Sequence, residues 1–106
     1  MKLRIIKKTH VVWPVTVNVP NDGGGVEKHA FFVRFKRLTE EEFEALSQKG
    51  QTEILKASVK GVGETEADME ELNDTDLKEL LADTNYRVGL YRAYLNMDAG
   101  VAEKNS

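Results

Sequence analysis

Few side chains in this 106-residue chain are of a type and spacing that could do chemistry. The two histidines, His10 and His29, are the first candidates, as bases or metal ligands. Both fall in strand-like segments without the Asp/His spacing of a metal site, so both read as surface or edge residues. Gly23-Gly24-Gly25 and Gly61-Val62-Gly63 are glycine clusters of the kind that cradle phosphates. Neither fits G-x-x-x-x-G-K-[ST] or sits between a strand and a helix as a dinucleotide fingerprint does. They read instead as a turn and a helix stop. The acidic run Glu64, Glu66, Asp68, Glu70 and Glu71 resembles a calcium loop only loosely. The central glycine and terminal bidentate glutamate of an EF-hand are missing, which leaves a solvated acidic loop. Ser47, Ser58 and the threonines lack a His/Asp partner in any nucleophile motif. With no cysteine in the chain, disulfides, thiolate nucleophiles and thiolate zinc sites are excluded. No nucleophile, base and orienter stand out together, so no catalytic, metal or cofactor residue is assigned and a non-enzymatic, binding role is expected.

One further constellation bears on nucleic acid. Phe31, Phe32 and Phe35 interleave with Arg34, Lys36 and Arg37, a pattern that could stack bases and meet phosphates. Charge is also segregated. Residues 1–37 carry eight Lys/Arg against two acids, and residues 38–106 carry seven against sixteen. Yet Phe31, Val33 and Phe35 alternate onto one face, the face a core would use, and water-facing strand residues need charge of some sign. A small nucleic-acid-binding or regulatory protein using the basic hairpin is therefore the alternative reading, not the leading one.

The elements that must position these residues follow from periodicity. Val15, Val17 and Val19 alternate with Thr16 and Asn18, and Phe31, Val33 and Phe35 alternate with Phe32 and Arg34. Pro20 to Gly25 reads as a flexible turn, giving a hairpin over about Val12 to Arg37. Pro14 belongs at a strand start or on an edge. An earlier strand is expected from Leu3 to Lys7. At Leu38 the period changes. Thr39 and Glu42 form a capping box with Leu38 and Phe43 at staple positions, opening a helix that ends by Gly50. A second helix is expected from Thr52 to about Lys60, stopped by Gly61-Val62-Gly63. Met69 and Leu72 anchor the acidic stretch that follows. A third helix runs from Asp74 or Thr75 to Ala82, and a fourth, capped by Thr84, carries the stripe Val88, Tyr91, Tyr94 and Leu95. Gly89 inside it costs helix stability or allows close packing, and Gly100 ends it.

The fold class is therefore α+β: an N-terminal antiparallel hairpin or small sheet over about 3–37, then three to four short helices over about 39–98. One domain is expected over 1–106, with a β part at 1–37, a helical part at 38–100 and a flexible tail at 101–106. No stretch approaches the roughly 20 apolar residues that cross a bilayer. Pro14, Thr16 and Asn18 interrupt the apolar run near the start, which is not read as an export signal.

Read end to end, the order of segments resembles a known family. Phe31-Phe32-Val33-Arg34-Phe35-Lys36-Arg37-Leu38 runs directly into Thr39-Glu40-Glu41-Glu42-Phe43-Glu44-Ala45-Leu46. Ile54-Leu55 and a glycine stop follow, then Asp76-Leu77-Lys78-Glu79-Leu80-Leu81 and Tyr86-Arg87-Val88-Gly89-Leu90-Tyr91-Arg92-Ala93-Tyr94-Leu95. This is similar to the tail assembly chaperones of long-tailed phages, over roughly residues 28–104. Where relatives often carry Trp after the second helix, this chain has Val62. The resemblance implies a non-virion protein of the host cytoplasm that binds the tape measure protein and recruits major tail protein. It also implies a longer form made by a −1 frameshift, for which Glu103-Lys104-Asn105 admits slippery codons. Candidate contact residues are Trp13 and Phe32 on the second face of the hairpin, and Tyr91, Tyr94 and Leu95 on the last helix. Edge strands that seek partners invite homo-oligomers.

Overall fold

The computed structural model describes residues 3–102. It is an α+β fold in the order β1 (His10–Pro20), β2 (Val26–Lys36), α1 (Glu40–Ser47), α2 (Gln51–Ser58), β3 (Val59–Gly63), β4 (Glu70–Glu71), α3 (Asp74–Ala82) and α4 (Thr84–Ala99). The four strands form one antiparallel sheet in the order β1-β2-β3-β4. In the long β1–β2 hairpin Pro20 pairs with Val26, and Gly23 and Gly24 supply the positive φ of the connecting loop. Pro14 lies within β1, which is an edge strand and needs no donor on its open side.

Alternation decides which face of the hairpin is covered. Val15, Val17, Phe31, Val33 and Phe35 are buried, together with Leu38, Ile54, Leu55, Val59, Leu77, Leu81, Leu90, Ala93, Tyr94 and Met97. The helices thus form a layer on one face of the sheet, with α4 packed chiefly on β1. Gly89 makes that contact close: a Cβ there would stand 2.9 Å from Val17 Cγ2 and 3.6 Å from the Thr16 carbonyl oxygen.

Four expectations are corrected. Leu3 to Lys7 is not a strand. The ladder with β2 ends at Lys36 opposite His10, with one further bond from the Arg37 amide to the Thr9 carbonyl oxygen, and residues 3–7 lie beyond that pairing. The second helix stops at Ser58, and Val59 leaves it in extended conformation to begin β3. Gly61 and Gly63 are therefore strand residues. A Cβ on Gly61 would meet the Glu70 carbonyl oxygen at 2.8 Å, and one on Gly63 would collide with the Asp68 carbonyl oxygen, so the approach of the following chain demands glycine. Asp83, not Thr84, caps α4, accepting from the amides of Asn85 at 2.9 Å and Tyr86 at 3.2 Å. The buried stripe of α4 is Leu90, Ala93, Tyr94 and Met97. Val88 and Leu95 lie outside it, 39% and 40% exposed.

The capping box is as expected. The Glu42 amide donates to Thr39 Oγ1 at 3.2 Å and the Thr39 amide to Glu42 Oε1 at 3.0 Å. The Thr39 amide foremost, and after it the Thr39 side chain, hold the Glu42 carboxyl below its usual range. Gly100, at φ 73°, closes α4 as expected. The tail expected to be flexible and the frameshift residues at 103–105 fall largely outside the described residues.

Tyr94 ties sheet to helices. It is fully buried, T-shaped against Phe35 at 5.6 Å and stacked on Phe43 at 6.2 Å. Its hydroxyl accepts from the Leu38 amide at 3.0 Å, where the chain leaves the sheet.

Two outcomes follow for stability. Gly89→Ala gains helix propensity of up to about 1 kcal/mol but overpacks a stiff β-branched neighbour, which costs about 1–3 kcal/mol. A net loss near 1 kcal/mol is expected, read as a lower urea midpoint; a gain would show that the α4–β1 contact opens freely. Tyr94→Phe leaves the buried Leu38 amide unpaired and should cost about 1–3 kcal/mol. Burial pushes the Tyr94 hydroxyl above its usual value of 10.0. The folded value therefore exceeds the unfolded one, and the stabilisation is complete below the unfolded pKa and lost as pH rises through the folded value. Urea midpoints measured above pH 10 should fall in the parent chain and fall less in Tyr94→Phe; parallel curves would remove Tyr94 as the cause.

Candidate functional site

An open groove of about 1020 Å³ lies between the sheet and the helical layer. Its walls come from four places. The β2 strand contributes His29 and Phe31, β3 and the chain to β4 contribute Val62, Gly63, Glu64, Ala67, Asp68, Met69 and Glu70, and Leu72 follows. The α3 helix adds Asp76, Glu79 and Leu80, and the start of α4 adds Asp83 and Tyr86.

Local chemistry explains why these residues meet. The glycines of β3 let the 68–71 segment press against it, which turns Met69 inward. Asn73 caps α3, its Oδ1 accepting from the Asp76 amide at 2.8 Å, which fixes Asp76 in the first turn. Asp83 caps α4 in the same way and fixes Tyr86. Arg87 of that turn donates to the Leu81 carbonyl oxygen at 3.3 Å, holding the α3–α4 corner. At the floor, His29 Nδ1 and the Tyr86 hydroxyl share a hydrogen bond of 2.7 Å. His29 and Phe31 lie 4.9 Å apart by ring centroid, and Phe31 and Tyr86 6.1 Å. Phe31, Tyr86, Val62, Met69, Leu72 and Leu80 make the floor apolar, while six carboxylates rim it: Glu64, Asp68, Glu70, Asp76, Glu79 and Asp83. His29 is the one basic side chain among the lining residues. Such a groove can hold an apolar surface with cationic edges by burying the one and meeting the other.

The residues proposed from sequence as a contact surface do not come together. Trp13 pairs with Val33 on the covered face, half-buried against the core, with its indole Nε1 buried and without a partner. Phe32 pairs with Pro14 on the opposite, outer face, so the two do not share a face of the hairpin. Tyr94 is fully buried and is a core residue, Tyr91 is half-buried against the core, and only Leu95 of the helical set is exposed. Met69 and Leu72, expected as anchors of the acidic stretch, do line the groove, and part of the acidic run once weighed as a calcium loop is its rim. Asp76, Glu79, Asp83 and Tyr86 were not singled out as site residues. The one signal available was the pair of cap positions, Asn73 and Asp83, that fix where the helices begin. Among the described residues no group of three or more His, Asp or Glu is placed to hold a metal ion, and no helix is long and apolar enough to cross a membrane.

A neutral dye probes the groove without repulsion from its rim. Nile red should brighten on the folded chain, and Leu80→Glu with Tyr86→Ser should lose most of that signal while the thermal transition persists. An unchanged signal in the folded variant would place the dye elsewhere. No protein-family model, curated protein or solved structure matches this chain, so its function has to be read from the groove and its rim.

Proposed function

We propose that this chain is a polypeptide-binding protein of the tail assembly chaperone kind, whose groove shields an apolar helical surface of the tape measure protein until tail assembly. The observation that supports this most directly is the open groove of about 1020 Å³, apolar in its floor and acidic around its rim. A long apolar helix exposed to water aggregates. A groove that covers part of it lowers the exposed area, at about 25 cal/mol for each Å² of apolar surface removed from water. The rim adds little to affinity but selects helices flanked by Lys or Arg and speeds encounter with them. The work asked of the chain is binding alone, with no bond made or broken. In this reading it acts in the host cytoplasm, is absent from the finished virion, and brings major tail protein to the growing tube.

The alternative reading keeps one observation of its own. The outer face of the hairpin carries Phe32 with Lys28, Arg34 and Lys36, without a covering helix. Lys36 lies 4.0 Å from Glu42, and Arg37 is paired with Asp98 at 3.1 Å, so part of this charge is already answered within the chain.

Co-expression separates the two. A tagged chain should co-purify with a co-expressed tape measure protein and keep that protein in solution. Asp76→Lys with Glu79→Lys should weaken the capture about tenfold, the range expected for reversing rim charges near a buried patch. Failure of capture, with tight DNA or RNA binding that falls steeply as salt rises, would replace this reading with the nucleic-acid one.

A further inference from the structure

The segment Leu3–Lys8 is fully exposed and forms neither helix nor strand. Its three large apolar side chains are the most water-exposed of their kind among the described residues: Leu3 at 86%, Ile5 at 65% and Ile6 at 90%. Arg4 stands between Leu3 and Ile5, Lys7 and Lys8 follow Ile6, and no acidic residue lies in the segment. The segment is apolar and cationic throughout, the complement in composition and charge of the groove described above.

We propose that this basic arm of one copy docks in the acidic groove of a second copy, and that a client polypeptide must displace it. The inference rests on reading the groove as a polypeptide-binding surface and adds how that surface is kept when no client is present.

Geometry favours docking between copies over docking within one. The arm leaves β1 at Thr9, whose carbonyl oxygen accepts from the Arg37 amide at the end of β2 remote from the groove. The nearest sheet residue of the groove, Val62, lies two strands across and level with Trp13, and its aromatic floor lies at Phe31 and His29, which pair with Val15 and Val17, six and eight residues past Thr9. That is about 20–26 Å back along the sheet at 3.3 Å per residue. The six residues of the arm span at most about 20 Å when fully extended, and they would have to reverse direction first. Leu3, Ile5 and Ile6 therefore cannot together cover the aromatic floor of their own groove, but nothing prevents them from entering a neighbour's. Charge selects the same pairing: three cations on the arm face six carboxylates on the rim, with His29 the one basic lining residue. Docking removes the exposed apolar strip and the open aromatic floor from water together. Each copy offers one arm and one groove, so reciprocal docking closes as a dimer and one-way docking propagates.

A charge-swap experiment on the full chain tests this by light scattering after gel filtration. The parent chain should have a mass at least twice that of one chain. Arg4→Glu with Lys7→Glu, and separately Asp76→Lys with Glu79→Lys, should each run at the mass of one chain. Mixing the two variants restores the parent pairing, the basic arm of one chain with the six-carboxylate rim of the other, and association should return. The chain has no cysteine, so placed thiols report the contact directly. Ile6→Cys mixed with Leu80→Cys should give a disulfide between chains well above the yield of either alone. A monomeric parent chain, variants that stay associated, or a mixture that stays apart would each overturn the proposal. Client capture by the monomeric Arg4→Glu, Lys7→Glu chain separates this from the reading beneath it. It should be about tenfold stronger than in the parent if the arm competes. Capture without any self-association overturns the arm alone, and self-association without capture overturns the client reading alone.

Discussion

The fold depends on one side chain placed where two kinds of structure meet. Tyr94 is buried between Phe35 of the sheet and Phe43 of the first helix, and its hydroxyl answers the Leu38 amide. At that point the chain has left the ladder of β2 and has not yet begun α1, so the Leu38 amide has no backbone partner in either element. A buried amide left unpaired is costly, and Tyr94 removes the cost from a helix distant in sequence. The same ring fixes α4 across the sheet, and Gly89 lets that helix settle onto β1 one and a half turns earlier. With α4 placed, α3 follows through the Asp83 cap, and the gap between α3 and β3 follows from both.

That gap is a consequence of a sheet wider than its cover. The α4 helix lies over β1, and α2 packs against α4 and the inner strands. The far edge, β3 and the two-residue β4, is left to the short α3 and a loop of acidic residues. Phe31 and Tyr86 are apolar groups at this edge that the core does not fully enclose. Val62, Met69, Leu72 and Leu80 are likewise only half-buried. A groove bounded by loop and helix ends can admit another chain without disturbing the buried cluster, of which Phe31 is the one member that lines it.

Much of the fold was legible because its strongest signals are local. The alternation of Val15, Val17, Phe31, Val33 and Phe35, the Thr39–Glu42 capping box and the Gly100 stop each act within a few residues, and each appears as read. The errors arose where the deciding partner is remote. Gly61-Val62-Gly63 looks like a helix stop until β2 is alongside, because glycines that admit a neighbouring backbone and glycines that end a helix are alike in sequence. In α4, Val88, Tyr91, Tyr94 and Leu95 satisfy helical spacing as well as Leu90, Ala93, Tyr94 and Met97. The choice between the two stripes belongs to β1 and to Gly89, not to α4. The candidate site was less legible still. Its rim gathers carboxylates from the β3–β4 connection, β4, α3 and the cap of α4 that are unremarkable one by one, and its apolar floor was read in separate pieces, with Phe31 as core, Leu80 on a helix stripe, Met69 and Leu72 as anchors and Val62 as part of a helix stop.

The uneven charge of the chain takes on meaning once it is placed in space. Read linearly, a basic first part and an acidic second part suggest a nucleic-acid surface with a solvated tail. In the folded chain the sixteen acids of the second part are not spread evenly over the surface. Six of them ring an apolar floor. Of the eight cations of the first part, Arg4, Lys7 and Lys8 stand on the unpaired arm, while Lys36 and Arg37 answer Glu42 and Asp98. Opposite charges gathered on apolar surfaces at two ends of one molecule attract across copies more readily than within one, because the sheet holds them apart. A protein built this way holds its binding surface ready for a cationic, apolar segment and supplies such a segment itself. Whether a client is bound then depends on competition between two similar strips, and the affinity of the arm sets the threshold that a client has to exceed.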